Sequence, residues 1–276
     1  GEAWNTVFKI NDIPVIYVPY ITFPVTAQRK TGLLFPDISN SNKYGLTYSQ
    51  PIYFNLAANA DLTLTPEYMS ERGILWQANG RHITANSNNT VQLEFINQDK
   101  SNKDLGDRYL TYWQHESNWL DNWNFQLQWT ELSDDNYISE FNSDYHHQAD
   151  THLNNFLQIN YFSDKLSFNL LSQDMYELGP HDPSYKLPVQ LSADWQVEQF
   201  TPNLDFSIYS QFSYFENKQL EVQAVNRSHL EPKLEYQYYS PAFQFESSVS
   251  YLATYYQKEF KTNNEQQNLS RELFKY

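Results

Sequence analysis

Few residues of this chain are spaced for chemistry. His146 and His147, beside Asp144 and Asp150, are types that could ligate a metal ion, and Glu131 with Asp134 and Asp135 could supply the paired carboxylates that hydrolyse glycosides. Both sets have a plainer reading. Adjacent histidines on an extended chain point opposite ways, and the acidic trio ends a strand-like run and opens a polar loop. There is no glycine-rich phosphate loop, no G-x-S-x-G elbow and no cysteine, so nucleotide, serine-hydrolase and thiolate-metal chemistry lack their usual residues. The reading is a non-enzyme with no cofactor, no metal and no catalytic residue. What remains is to ask which elements these loops join.

The composition points to strands with two different faces. Of 276 residues, 22 are Tyr, 18 Phe and 7 Trp, yet mean hydropathy is low because Asn, Gln, Ser and Thr fill most other positions. That combination arises when apolar and polar residues alternate along strands whose faces meet different surroundings. The net charge of −15 disfavours nucleic acid, whose phosphates are bound by Lys and Arg. No apolar run approaches the roughly 18 to 20 residues of a membrane-spanning helix, but a membrane barrel needs only about 9 to 11 alternating residues per strand. Gly1 opens in strand-like sequence without a leader, and the expectation is a piece of a longer precursor.

The stretch from Ile13 to Pro36 mixes β-branched and aromatic residues with Pro14, Pro19, Pro24 and Pro36, and Pro51 follows. Proline cannot donate to a strand ladder, so this stretch reads as an edge, a seam or a bent connector. Before it, Trp4 to Val18 reads as two short strands joined at Asn11-Asp12. After it, strands and turns alternate. In Trp123 to Leu132, Trp123, Phe125, Leu127 and Trp129 take one face and Asn124, Gln126, Gln128 and Thr130 the other. Leu204, Phe206, Ile208, Phe212 and Tyr214 repeat the pattern, as do Phe243, Phe245, Val249 and Tyr251. Short turns alternate with polar loops at 98–108, 133–150, 172–186 and 217–228, as at the two ends of an outer-membrane barrel. The expected fold is all-β, with residues 1–24 ending a β-jelly-roll, 25–43 a connector and start of a seam, and 44–276 about eleven or twelve strands of a transmembrane antiparallel β-barrel. The rival is a soluble aromatic-rich β-sandwich that binds or hydrolyses glycans, in which the apolar faces would be core.

Specific runs also carry a family resemblance. Pro19-Tyr20, Phe23-Pro24, Arg29 to Leu34, Tyr53 to Asp61 and Thr65 to Gly73 together resemble the start of the barrel in the LptD (OstA/Imp) family of lipopolysaccharide-assembly proteins of the Gram-negative outer membrane. Tyr112-Trp113, Phe141 to Tyr145, His229 to Pro232 and Leu252 to Gln257 extend the likeness along most of the chain. That family has a complete periplasmic jelly-roll, about twice the strands counted here and, in many members, inter-domain disulfides, so the chain covers part of such a protein.

The resemblance implies lipopolysaccharide transport and insertion into the outer leaflet, with LptE as a plug in the lumen, LptA docked on the jelly-roll, and outer-membrane lipids around the wall. It implies a lateral gate weakened at Pro24 and Pro36, and an acyl-chain path along Ile13, Val15, Tyr17, Ile21 and Phe23. Trp123, Phe125, Leu127, Trp129, Phe243 and Phe245 are the lipid-facing candidates.

Overall fold

Alternating sequence folds as strands that pair with their chain neighbours, and the computed structural model follows that rule for residues 1–276 apart from 11, 23–28, 142, 180–183 and 262–265, which lie outside the described residues. The chain divides into two units. The first is Gly1–His115 with Trp129–Asp150, and the second is Glu116–Gln128 with Thr151–Tyr276.

In the first unit, β1 (Glu2–Ile10) and β2 (Ile13–Thr22) form their own two-stranded antiparallel sheet. β3 (Gly32–Leu33), β4 (Asp37–Ser41), β5 (Gly45–Ser49), β6 (Ile52–Ala57), β7 (Ala60–Met69), β8 (Gly73–Ile83), β9 (Ser87–Ile96) and the first part of β10 (Arg108–Trp119) belong to a second sheet. The end of β11 (Trp123–Leu132) and the one-turn helix α1 (Tyr137–Glu140) complete the unit. β5 pairs with the far end of β7 (Thr47↔Met69) and β6 with its near end (Ile52↔Leu64), so β5 and β6 are one strand broken at Gln50-Pro51.

The neighbouring ladder breaks at the same level. Leu33 pairs with Ile52 and Asp37 with Ser49, leaving 34–36 opposite 50–51, a one-residue bulge that contains Pro36. Leu34 N–H still donates to the Pro51 carbonyl at 2.9 Å, and the Gln50 side chain to the Leu34 carbonyl at 2.8 Å. Gly45 starts β5 at φ +70, where a Cβ would lie 2.0 Å from Ser70 Oγ, so glycine is required on both counts.

The second unit holds the rest of β10 and β11, then β12 (His152–Phe162), β13 (Leu166–Glu177), β14 (Lys186–Thr201), β15 (Leu204–Glu216), β16 (Val222–Ser240), β17 (Phe243–Phe260) and β18 (Gln266–Lys275). Each of β12 to β17 pairs antiparallel with the next in chain order. Their registers align whole rows of like residues. Asn124, Asn160, Asn169, Ser192, Gln211, His229 and Thr254 lie side by side across seven strands. One residue along, Phe125, Ile159, Leu170, Leu191 and Phe212 form a row on the opposite face. The polar row is knitted by side-chain amides, with Asn169 donating to Asn160 at 2.7 Å and Asn160 to Asn124 at 3.2 Å.

The connections at 58–59, 70–72 and 84–86 are all short; from β9 onward they alternate as expected, with tight turns at 120–122, 163–165, 202–203 and 241–242 and longer connections at 97–107, 133–151, 178–185 and 217–221. Two boundaries differ from the sequence reading, which placed polar loops at 172–186 and 217–228. β13 runs on to Glu177 and β16 starts at Val222, because a paired neighbour prolongs a ladder into polar sequence.

Candidate functional site

Four strands of the first unit depart from strict alternation at one shared end. Tyr68-Met69 on β7, Ile74-Leu75 on β8, Phe95-Ile96 on β9 and Tyr109-Leu110 on β10 are apolar on both faces. The outward members are exposed, whereas Met69, Leu75, Ile96 and Leu110 are buried together with Tyr137, Ile138 and Phe141 from the connection 133–151. That connection reads in sequence as a solvated acidic loop, and the structure corrects this. Its Tyr-Ile-Ser-Glu-Phe segment folds as α1 and supplies the aliphatic and aromatic cover that the strand ends need.

Buried charge holds the loop in place. Arg108, the first residue of β10, gives Asp134 two parallel hydrogen bonds of 2.9 Å, Asp99 one of 2.8 Å and Glu140 one of 2.6 Å. Arg72 reaches Asp99 at 2.9 Å and Glu140 at 3.0 Å. Arg108 and Asp99 are both 0% exposed. The Phe141 ring lies 4.8 Å from the Arg72 guanidinium and 5.0 Å from that of Arg108, so the cations are covered by an aromatic face as well as paired. The β4–β5 turn adds contacts to backbone carbonyls, with Lys43 donating to that of Ser139 at 2.8 Å and Tyr44 to that of Glu140 at 2.7 Å.

Burial works against ionisation of Asp134 and Glu140, but the arginine hydrogen bonds outweigh it and hold both carboxyls below the usual range. Burial also pushes the Tyr137 phenol up and the His146 imidazole down.

A second ion cluster lies at the other end of β7 and β8. Asp61 accepts two 2.9 Å bonds from Arg81 and one from Arg29, with Tyr53 adding a hydroxyl at 3.2 Å. Between the clusters the same face holds a cavity of about 280 Å³ lined by Thr63, Thr65, Gln77, Asn79, Gln92 and Tyr145.

The residues singled out for chemistry disperse. His146 packs edge-on against Tyr112 at 5.5 Å, while His147 contributes its backbone N–H to Asp150. Asp134 is taken by Arg108, and Glu131 faces the Tyr109 hydroxyl at 3.4 Å. Ile13, Val15, Tyr17 and Ile21 lie in β2, with Ile13 and Tyr17 exposed; Phe23 and Pro24 fall outside the described residues. Pro36 sits half-buried at the ladder break. Trp123, Trp129, Phe243 and Phe245 are exposed, and Phe125 and Leu127 half-buried on the same face of β11 as the two tryptophans.

Sequence reasoning missed the buried arginines, although their signal was present in the doubled apolar positions at the four strand ends. The runs that carry the family likeness also meet here: Met69 and Arg72 from one, Tyr112 from another, Phe141, Asp144 and Tyr145 from a third.

Charges inside and greasy side chains outside define the class, an all-β antiparallel wall of the membrane-barrel type. Trp76 and Leu93 are both 47% exposed and Trp113 43%, while Arg108, Asp99 and Glu94 are sealed from solvent beside the apolar cover of Met69, Leu75, Ile96, Leu110 and Phe141. No ring closes among the described residues, where β4 and β18 each pair on one side only.

The family model described as LPS transport system D (LptD) matches residues 106–275, and the chain belongs to that family. It is 38% identical over 262 residues to the LPS-assembly protein LptD of Pseudoalteromonas translucida, covering 94% of this chain and 34% of the relative. The protein of the same name from Idiomarina loihiensis is 36% identical over 273 residues, 99% of this chain and 36% of the relative. That from Shewanella oneidensis is 33% identical over 260 residues, 94% and 34%. The chain thus spans about a third of the length of the curated relatives it matches. A solved bacterial polysaccharide outer membrane secretin covers 82% of this chain and 83% of its own at 10% identity and a TM-score of 0.31, a likeness too slight to carry an argument.

Proposed function

We propose that this chain is a section of a Gram-negative outer-membrane protein that inserts lipopolysaccharide into the outer leaflet. Membership of the LptD family carries the proposal, and the exposed apolar rows, with a buried ion cluster beside them, support it. In this reading residues 1–24 end a periplasmic jelly-roll whose Ile13, Val15, Tyr17, Ile21 and Phe23 guide acyl chains. Residues 25–43 begin the lateral seam, and 44–276 form barrel wall whose Trp123, Phe125, Leu127, Trp129, Phe243 and Phe245 meet lipid. LptE sits in the lumen and LptA docks on the jelly-roll. The chain acts as a conduit rather than an enzyme. Pro24 and Pro36 loosen the seam, each missing ladder bond lowering the opening cost by about 1 kcal/mol. The soluble-sandwich alternative requires the apolar faces as core, and no observation favours it.

The test depletes the full-length protein in its own bacterium and follows newly made lipopolysaccharide at the cell surface. Wild-type rescue is expected to restore it, and a variant with Pro24 and Pro36 both replaced by alanine is expected to restore it more slowly. Surface lipopolysaccharide that persists through depletion overturns the function, while equal rates for the two rescues remove the gate and leave the function standing.

A further inference from the structure

The polar face of the second unit is divided by charge. The registers of β15 to β18 place Gln211, His229, Thr254 and Arg271 in one row of that face, Arg227 and Tyr256 in the next, and Lys258 and Gln267 one row further. Toward the tight turns at 202–203 and 241–242 the same face carries Asp205, Glu231, Glu235 and Glu246, with Lys233 and Lys275 among them. Toward the longer connection 217–221 it carries Arg227, His229, Lys258 and Arg271, and no carboxylate shares those rows among the described residues. The chain has 33 acidic residues against 18 basic ones, so basic side chains gathered without an acid run against its composition.

These cations also lack the partners that others in the unit find. Lys186, Lys218 and Lys233 reach carboxylates at 2.6, 3.2 and 2.5 Å. The side chains of Lys258 and Arg271 make no hydrogen bond or ion pair among the described residues. Arg227 donates to one amide, that of Gln211, whose Nε2 is taken by the Tyr209 hydroxyl at 2.9 Å. His229 shares a 2.8 Å hydrogen bond with Thr254, and its Nε2 lies 3.7 Å from Glu231, where the acidic half begins. Arg227 and Lys258 are diagonal neighbours on paired strands, with backbones about 7–8 Å apart, and like charges so placed repel. An oxyanion between them removes that repulsion, and a phosphate fits both the guanidinium fork and the ammonium point charge. Tyr256 and Gln267 in the same rows likewise make no side-chain hydrogen bond among the described residues, so neutral donors flank the cations. All of these are open to solvent, Arg227, Lys258 and Tyr256 half-buried and Arg271 and Gln267 exposed.

We infer that this end of the polar face is a binding site for a phosphate group carried on a glycan. Arg227 and Lys258 hold the phosphate oxygens, Arg271 adds a third cation from β18, and Tyr256 and Gln267 meet hydroxyls of the sugar that bears the phosphate. The carboxylates on the other half of the face repel the same ligand, which confines it to the end near 217–221. The inference deepens the proposed transport function and rests on it only for the source of the glycan, lipopolysaccharide.

The experiment uses the full-length protein, with the partners it retains on purification, in a nonionic detergent without a sugar head. Glucose 6-phosphate and inorganic phosphate are titrated by phosphorus NMR line broadening, and methyl glucoside by saturation-transfer NMR. Glucose 6-phosphate is expected to bind tightest, methyl glucoside at least about ten-fold more weakly, and the phosphorylated sugar to weaken as salt is raised. Lys258→Gln and, separately, Arg271→Gln remove side chains that hold nothing in the fold, and each is expected to weaken glucose 6-phosphate about three- to ten-fold. Lys258→Arg is expected to restore most of the affinity, and Lys165→Gln, in a turn at the opposite end of the strands, to change nothing. Glucose 6-phosphate that does not bind, that binds no tighter than methyl glucoside, or that binds the Lys258→Gln and Arg271→Gln variants as tightly as wild type overturns the site. Inorganic phosphate held as tightly as the sugar phosphate overturns the glycan as its source. A photo-crosslinker at Leu269, exposed in the row of Arg227 and Tyr256, separates the inference from the transport reading in cells. Captured lipopolysaccharide without glucose 6-phosphate binding leaves transport standing and removes the site. Binding that the variants weaken, with no lipopolysaccharide captured, keeps the site and removes the transport reading.

Discussion

Arg108 carries a full charge with no exposed surface, and the reason it can do so lies in the number of its partners. Desolvating such an ion costs several kcal/mol, which only close and complete pairing offsets. Here four hydrogen bonds of 2.6 to 2.9 Å to three carboxylates, with the Phe141 ring 5.0 Å away, provide it. Replacing Arg108 by methionine leaves Asp99 buried with Arg72 as its remaining ion-pair partner, and the expected loss is about 3–5 kcal/mol. It is read as protease cleavage within 133–150 and a lowered urea midpoint. Lys186, 59% exposed in its 2.6 Å pair with Asp174, is the contrast, and Lys186→Met is expected to cost about 1 kcal/mol or less. Equal effects from the two substitutions would mean that the Arg108 cluster contributes no more than a surface pair.

The connection 133–151 behaves as an element in its own right because its aromatic residues are buried while its carboxylates are paired. Both kinds of contact set its response to pH. Asp134 and Glu140 have folded values below the unfolded ones, so their contribution is complete above the ordinary carboxylate range and disappears as pH falls through the lowered values. His146 is also lowered, by burial against Tyr112, so the neutral ring favours the folded loop and a first, shallower loss begins as pH drops below about 6.5. A spin label on a cysteine at the exposed Ser139 is expected to gain mobility slightly in that first window and fully only once pH has fallen through the lowered values of Asp134 and Glu140, below the ordinary carboxylate range. His146→Gln is expected to remove the first step alone. Full mobility reached by pH 6 would contradict the carboxylate clamp.

Prolines show how an element absorbs what its sequence forbids. Pro66, Pro188 and Pro232 all lie inside strands, although a proline-bearing strand reads first as an edge or seam. Each sits where one ladder skips. Pro66 faces the break between β5 and β6, Pro188 lies at a bulge against β15, and β16 pairs with β17 at Leu230 and Lys233 but not at Pro232.

For the molecule as a whole, which face is wet matters more than which residue stands where. Leu191 and Ser192 are neighbours at the middle of β14 and belong to the apolar and polar rows respectively. Leu191→Arg is expected to cost about 2–4 kcal/mol on folding into lipid vesicles, the figure for an arginine at the bilayer midplane, and Ser192→Arg close to nothing. Urea titration of folded protein in vesicles measures both, and an equal penalty would show that neither face meets lipid. The two faces, the alternation of tight and long connections and the all-β class were legible before any coordinates, because period-two patterning and turn residues act between near neighbours in sequence. Strand ends were less so, since a ladder stops where its partner stops. The ion cluster was not legible at all as a cluster. It joins Arg72, Asp99, Arg108, Asp134 and Glu140 from four connections and strand ends, and no local rule says that a loop rich in acids will turn inward. Only the fold decided that, by bringing four doubly apolar strand ends together and leaving them a surface that the aromatic residues of the loop could cover.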